Sequence, residues 1–178
     1  MGIISQALKL RHYQREFNEN RGWLDHRKGE MKMVNVYDVA EFILRKCGPT
    51  TAMKLQKLVY YCQAWSLVWD EKPLFQEKIE AWANGPVVRE LFDLHKGRFK
   101  VTSIRSGRPE KLNATQKETV LAVLNYYCKR SSQWLSDLTH MEDPWRNARK
   151  GIRENERGNK VISHASMIEY YSSLLPES

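Results

Sequence analysis

The sequence predicts a mainly α protein with a small antiparallel β-sheet (α+β), a compact helical domain around one buried, aromatic-rich helix. The first observation is a run over 52–69 in which Leu55, Leu58, Val59, Cys62, Trp65 and Trp69 recur at three- and four-residue steps. Tyr60, Tyr61, Ala64, Leu67 and Val68 fill most of the rest of the helix surface, leaving a narrow polar side of Lys54, Gln56, Lys57 and Gln63. A helix that is apolar nearly all round needs cover on several sides. The second observation is that capped stretches with one-sided apolar stripes lie before and after it to supply that cover. The third is that only short stretches, 77–83 and 99–104 with a pair at 161–162, read as strands.

In chain order, residues 1–33 read as an N-terminal extension, either an appended arm with one helix over 3–17 or a stretch outside the native domain with Met31 or Met33 as the alternative start, and 34–176 as the globular domain. Asn35 is a good cap, and Asp38 in the following turn suits the helix dipole. Val36, Val39, Ala40, Ile43 and Leu44 then form a stripe that stops at Gly48-Pro49. Thr50 or Thr51 caps the central helix, which begins near Ala52. After a turn at 70–73, Leu74-Phe75 anchors the chain back on the core. From Glu77 to Ala83 the period falls to two: Ile79, Ala81 and Ala83 share one face, Lys78, Glu80 and Trp82 the other. Asn84-Gly85 forms a tight turn, and Pro86 suits the first position of a helix carrying Val87, Val88, Leu91, Phe92 and Leu94. A strand over 99–104 is a pairing partner for 77–83.

Thr115 and Glu118 have capping-box spacing for a helix running to about Lys129. Ser131 or Ser132 caps a short helix with Trp134, Leu135 and Leu138. Pro144 starts another with Trp145 and Ala148 inward, and Arg146, Arg149, Lys150 and Arg153 make it basic. Ser163 caps the last helix, whose stripe is Met167, Ile168, Tyr171, Leu174 and Leu175.

A chain of 178 residues with 42% apolar content, 6 Trp and 8 Tyr can bury one core without disulfides and is not a disordered composition. No apolar run approaches the roughly 20 residues of a bilayer span, and no secretory apolar segment opens the chain, so a cytoplasmic protein without membrane insertion is expected. Cys47, Cys62 and Cys128 lie far apart with no CxxC pair, which indicates neither a disulfide framework nor a cysteine zinc site. The balance of 29 Lys and Arg against 21 Asp and Glu gives a net charge of +8 and favours acidic partners without choosing among them.

Signatures of chemistry are missing. There is no P-loop, GxGxxG, HExxH or GxSxG, and His12, His26, His95, His140 and His164 do not pair at metal-ligand spacing. Cys62 sits among apolar neighbours that make a thiol inert. His140, between a helix end and a Pro-Trp turn, reads as a structural hydrogen-bonding residue. No enzyme, cofactor or metal is expected.

Three ordered blocks are more specific. MKLQKLVYYCQAW (53–65), PLFQEKIEAWANGPVV (73–88) and LSDLTHMEDPWRNAR (135–149) together resemble the Panacea domain, the family of SocA-like and phage-associated GepA-like antitoxins. The resemblance covers about 34–175. It implies a bacterial or prophage antitoxin that neutralises a cognate toxin by direct protein contact, without catalysis. Leu55, Leu58, Tyr61, Trp65, Gly85, Pro86, Thr139, His140, Pro144 and Trp145 are the motif residues, best explained by packing and turn geometry. Lys57, Glu80, Trp82, Asn84 and Arg89, placed outward by local pattern, are the partner-binding candidates, with Trp82 beside charges as the hot-spot residue. Two other readings stay open: an autoregulator binding operator DNA through the Arg146–Arg153 cluster, and an adaptor that delivers a bound partner to a protease. A homo-oligomer is compatible with each.

Overall fold

The computed structural model describes residues 33–153 and 156–175. The helix expected over 3–17 lies outside them. Asn35 opens the domain as expected: its side chain accepts from the Asp38 N–H at 3.0 Å while its own N–H donates to the Asp38 carboxylate at 3.1 Å, starting helix α1 (Val36–Cys47). Gly48, at φ +76°, ends it in a backbone region that strains any Cβ. The short strand β1 (Thr50–Thr51) leads into α2 (Ala52–Trp69), where the Thr51 hydroxyl accepts from the Lys54 N–H at 3.2 Å.

Helix α2 is the axis of the molecule, and every side chain from Leu55 to Leu67 is buried. Its cover comes from α1, α4 (Ala114–Tyr127), α5 (Ser132–Met141), α7 (His164–Ser173) and a β-hairpin. Each fully buried aliphatic or aromatic side chain contributes roughly 1.5–3 kcal/mol, so this helix anchors the core. The aromatic side chains contact one another: Tyr61 stacks on Tyr127 at 4.1 Å, and Trp65 on Trp69 at 4.6 Å.

Beyond the half-buried Lys54, the narrow polar side of α2 does not face water. Gln56, Lys57, Gln63 and Ser66 are buried and bond to the backbone of the chain that returns antiparallel along the helix. Ser66 Oγ donates to the Lys72 carbonyl at 2.9 Å, and Gln63 accepts from the Leu74 and Phe75 N–H groups while donating to the Phe75 carbonyl at 3.0 Å. Further back along the helix Lys57 Nζ donates to the Pro86 carbonyl at 3.2 Å, and Gln56 holds Val88 by both its N–H and its carbonyl. The polar residues inside the apolar helix thus fix the course of 72–88.

The hairpin pairs β2 (Ile79–Trp82) with β3 (Gly85–Val88), from Ile79↔Val88 to Trp82↔Gly85. The predicted alternation holds, with Ile79 and Ala81 buried and Glu80 and Trp82 half-buried on the other face. The helix expected from Pro86 begins later: 85–88 extend as β3, and α3 is Arg89–His95. Gln56 explains the difference, because its bonds to Val88 hold that residue extended. The outer edge of β2 is closed by 160–162, where the Ala81 N–H donates to the Lys160 carbonyl and the Ile162 N–H to the Ile79 carbonyl, both at 2.8 Å.

The second strand is shorter than 99–104 and does not join this hairpin. Strand β4 (Lys100–Val101) pairs antiparallel with β1 instead, beside a bond from the Ala52 N–H to the Phe99 carbonyl at 3.0 Å. The cap of α4 is Asn113 with Gln116, a reciprocal capping box that precedes the expected Thr115–Glu118 pair by two residues. Ser131 caps α5, Pro144 lies in the first turn of α6 (Asp143–Ala148), and Ser163 caps α7. The expectation that the cysteine spacing indicates no disulfide is corrected at one pair. Cys47 and Cys128 are disulfide-bonded with Cα atoms 6.2 Å apart despite a separation of 81 residues, because the ends of α1 and α4 meet beside the start of α2. Cys62 is buried as expected, and burial pushes its thiol far up.

Candidate partner-binding site

The hairpin is held from beneath by side chains that each cap one of its carbonyl groups. Arg149 Nη1 donates to the Ala81 carbonyl at 2.9 Å, and Trp145 Nε1 to the Trp82 carbonyl at 2.9 Å. Ser136 Oγ reaches the Asn84 carbonyl at 3.3 Å, and Lys57 and Gln56 take Pro86 and Val88. The donors come from α2, α5, α6 and the residue just after α6, so two stretches of sequence, 56–57 and 136–149, each distant from the hairpin, fix one turn. A buried carbonyl without a donor costs about 1–3 kcal/mol, and so these contacts set the hairpin's position firmly.

Lys57 is therefore not outward. It is 1% exposed, and burial pushes its amine down to about 7. The sequence pattern placed it on a polar side, but that side lies under the turn. Gly85, at φ +98°, passes so close that a Cβ there would stand 2.6 Å from Lys57 Cε, 2.8 Å from Nζ and 2.8 Å from Thr139 Oγ1. Thr139 is buried, with its hydroxyl donating to the Ser136 carbonyl at 2.8 Å. His140 stacks on Trp145 at 4.2 Å; burial, then the neighbouring Lys57, hold its imidazole below the usual histidine range, with the Ala83 backbone opposing in part. Among the described motif residues, Leu55, Leu58, Tyr61, Trp65, Gly85, Pro86, Thr139, Pro144 and Trp145 are buried.

Beside this lies a polar core that sequence reasoning missed. Glu142, the residue before α6, is 3% exposed and accepts from the Tyr171 hydroxyl at 2.7 Å and the Tyr61 hydroxyl at 3.3 Å. Burial pushes its carboxyl up to about 8 against the opposing effect of those two hydroxyls. Its position between His140 and Pro144 gave no signal, since a carboxylate there reads as an ordinary solvated helix start.

The outer face carries the other candidates. Arg89 binds Glu80 with two bonds, Nε to Oε1 at 3.0 Å and Nη2 to Oε2 at 2.7 Å, and Trp82 Nε1 donates to the same Glu80 Oε2 at 2.7 Å. Burial raises the Glu80 carboxyl, but Arg89 and the Trp82 indole together hold it below the ordinary value. The Trp82 ring has the Arg89 guanidinium 5.1 Å from its centroid and the Arg157 guanidinium 4.9 Å from it, with Phe92 edge-on at 4.8 Å. Arg157 is exposed, and among the described residues no carboxylate lies within ion-pair distance of it. Asn84 is exposed at the turn. The structure thus brings Glu80, Trp82, Asn84 and Arg89 to one surface, adds Arg157 and Phe92, and removes Lys57.

The basic cluster after Pro144 is broken up. Arg149 is 5% exposed, lies 5.2 Å over the Trp145 ring, and its Nη2 donates to the Arg153 and Glu156 carbonyls, each at 2.8 Å. Arg146 faces Asp143 at 3.5 Å. Among the described residues no group of three His, Cys, Asp or Glu side chains is placed to hold a metal ion, and no helix is long and apolar enough to cross a membrane.

The family model for the antitoxin SocA-like Panacea domain matches residues 55–146, from the start of the buried helix through the Pro-Trp turn. The chain belongs to the Panacea-domain family. Of the side-chain donors named above, the matched span contains all but Arg149, so most of that geometry lies inside the family region of this Panacea protein. No curated protein and no solved structure matches the chain.

Proposed function

We propose that this Panacea protein is an antitoxin that neutralises a bacterial or prophage toxin in the cytoplasm by direct binding, using the outer face of the β2–β3 hairpin and no catalytic step. The observation that carries the reading is the convergence of the family blocks on one turn, whose outer face holds Trp82 between two guanidinium groups. An aromatic ring fixed beside arginines, on backbone that need not reorganise, has the composition and the preorganisation of an interface hot spot. Glu80 is already bound by Arg89 and Trp82, and Arg157, beside the same ring, has no carboxylate within ion-pair distance among the described residues. Asn84 at the exposed turn offers hydrogen bonds to the partner's backbone.

The test is coexpression with the product of the neighbouring reading frame, followed by growth rescue and a binding measurement on the purified pair. Rescue by the wild type, with rescue and binding lost together in Trp82→Ala and Arg157→Ala while both variants stay folded, is the expected result. Undiminished rescue by both variants excludes the hairpin face. The operator-DNA reading loses its main support because the cluster that motivated it has Arg149 committed to backbone carbonyls and Arg146 beside an acid.

A further inference from the structure

A second feature stands apart from the hairpin face: the connection from α3 into the first residue of β4, residues 96–100, reading Lys-Gly-Arg-Phe-Lys, all of it exposed. Phe99 is 83% exposed, and among the described residues it is the one aromatic ring so presented. An apolar ring in water is unfavourable, and the usual escape, a fluctuating loop that folds it inward, is blocked by the backbone here. At one end His95 is buried and bonded to Gln56 of the central helix at 3.0 Å, and its carbonyl accepts from the Arg98 N–H at 2.9 Å. At the other end the Phe99 carbonyl accepts from the first N–H of α2, and Lys100 and Val101 pair with Thr51 and Thr50. Gly97, at φ +79°, makes the bend between them.

The charge around this ring is of one sign. From Leu94 to Arg108 the chain holds Lys96, Arg98, Lys100, Arg105 and Arg108 and no Asp or Glu. Among the described residues none of Lys96, Arg98 and Lys100 has a carboxylate within ion-pair distance. The acids of α3, Glu90 and Asp93, act on Arg89 and Tyr37.

We propose that the Lys96–Lys100 connection docks an acidic segment of a partner protein, with Phe99 entering an apolar pocket and Lys96, Arg98 and Lys100 meeting carboxylates around it. Charge complementarity selects an acidic occupant, and the pre-set backbone selects one that receives a single projecting ring. Single-stranded nucleic acid is the weaker fit, because it is bound by series of aromatic rings on which successive bases stack, and here there is one. The proposal holds whether or not the hairpin face contacts a toxin.

The test uses the full chain and Phe99→Ser, whose side chain makes no core contact and whose backbone bonds are kept, so its melting temperature should match the wild type. A phage-displayed library of random twelve-residue peptides is panned on the wild type. The enriched peptides should combine Asp and Glu with an apolar centre, bind Phe99→Ser at least tenfold more weakly, weaken with added salt, and bind Trp82→Ala unchanged. Failure to enrich such peptides, or equal binding to Phe99→Ser, overturns the proposal. So does Phe99-dependent binding of a 15-nucleotide oligo-dT, which assigns the connection to nucleic acid, or a dimer that Phe99→Ser dissociates in sedimentation, which assigns it to a second copy of the chain.

Discussion

Replacing Gly85 by alanine tests the central claim that three separated parts of the chain are locked together under one turn. The residue sits at φ +98°, where a Cβ costs roughly 1–2 kcal/mol by itself. The new methyl would also stand 2.6 Å from Lys57 Cε and 2.8 Å from Thr139 Oγ1. Lys57 is the end of a flexible side chain, yet it is 1% exposed and Thr139 is buried, so neither has a place to go. Overpacking of this kind costs typically about 1–3 kcal/mol, which brings the expected loss to about 3 kcal/mol. For a chain of this size that corresponds to a fall in Tm of about 10 °C. Gly48→Ala supplies an internal control, since its φ is +76° but nothing lies within 4 Å of the added Cβ, so it carries the strain alone. Chemical denaturation of the two variants gives the packing contribution by difference. If Gly85→Ala loses no more stability than Gly48→Ala, the turn is not clamped against Lys57 and Thr139, and the account of the site is wrong.

Lys57 holds its proton up to about 10.5 when unfolded but loses it near 7 when folded, so the unfolded state binds more protons between those values and stability rises with pH through that window. In Lys57→Met that rise, at most about 1.4 kcal/mol per pH unit, should be missing, so that the difference between wild type and variant grows with pH; an unchanged slope in the variant from pH 7 to 10 refutes it. Glu142 has the opposite sign. Its carboxyl is protonated in the folded chain up to about 8 but only to 4.5 when unfolded, so stability falls as pH rises from 4.5 to 8, and Glu142→Gln should flatten urea midpoints measured at pH 5, 6 and 7. Arg149→Lys keeps the charge but lacks the planar fork that caps the Ala81, Arg153 and Glu156 carbonyls; it should cost about 2 kcal/mol and speed amide exchange at Ala81 and through 156–162, and intact protection there contradicts the clamp. Trp82→Ala should weaken partner binding at least 30-fold, about 2 kcal/mol, as a titration of the purified pair would show, with less than half of that loss appearing in the stability of the free protein.

The amino-acid sequence alone determined the helical class, the buried axis over 52–69, the caps at Asn35 and Ser163, a cap at Ser131 or Ser132, and the alternation of 79–82, because these depend on spacing and on groups within a few residues of one another. It also carried the three family blocks. Only the tertiary structure decided what the polar residues of the axis do: Lys57 and Gln56 look like a solvated stripe until residues 85–88 are laid over them, and that burial turns a predicted helix start at Pro86 into a strand. The same holds for the β1–β4 pairing, the Cys47–Cys128 bridge, Arg149 drawn under the hairpin and Glu142 among the tyrosines. Each joins groups dozens of residues apart, and their burial and hydrogen bonding come from contacts that no local period records. A spacing rule reports which side of an element a residue occupies, but whether that side meets water is settled by what packs against it.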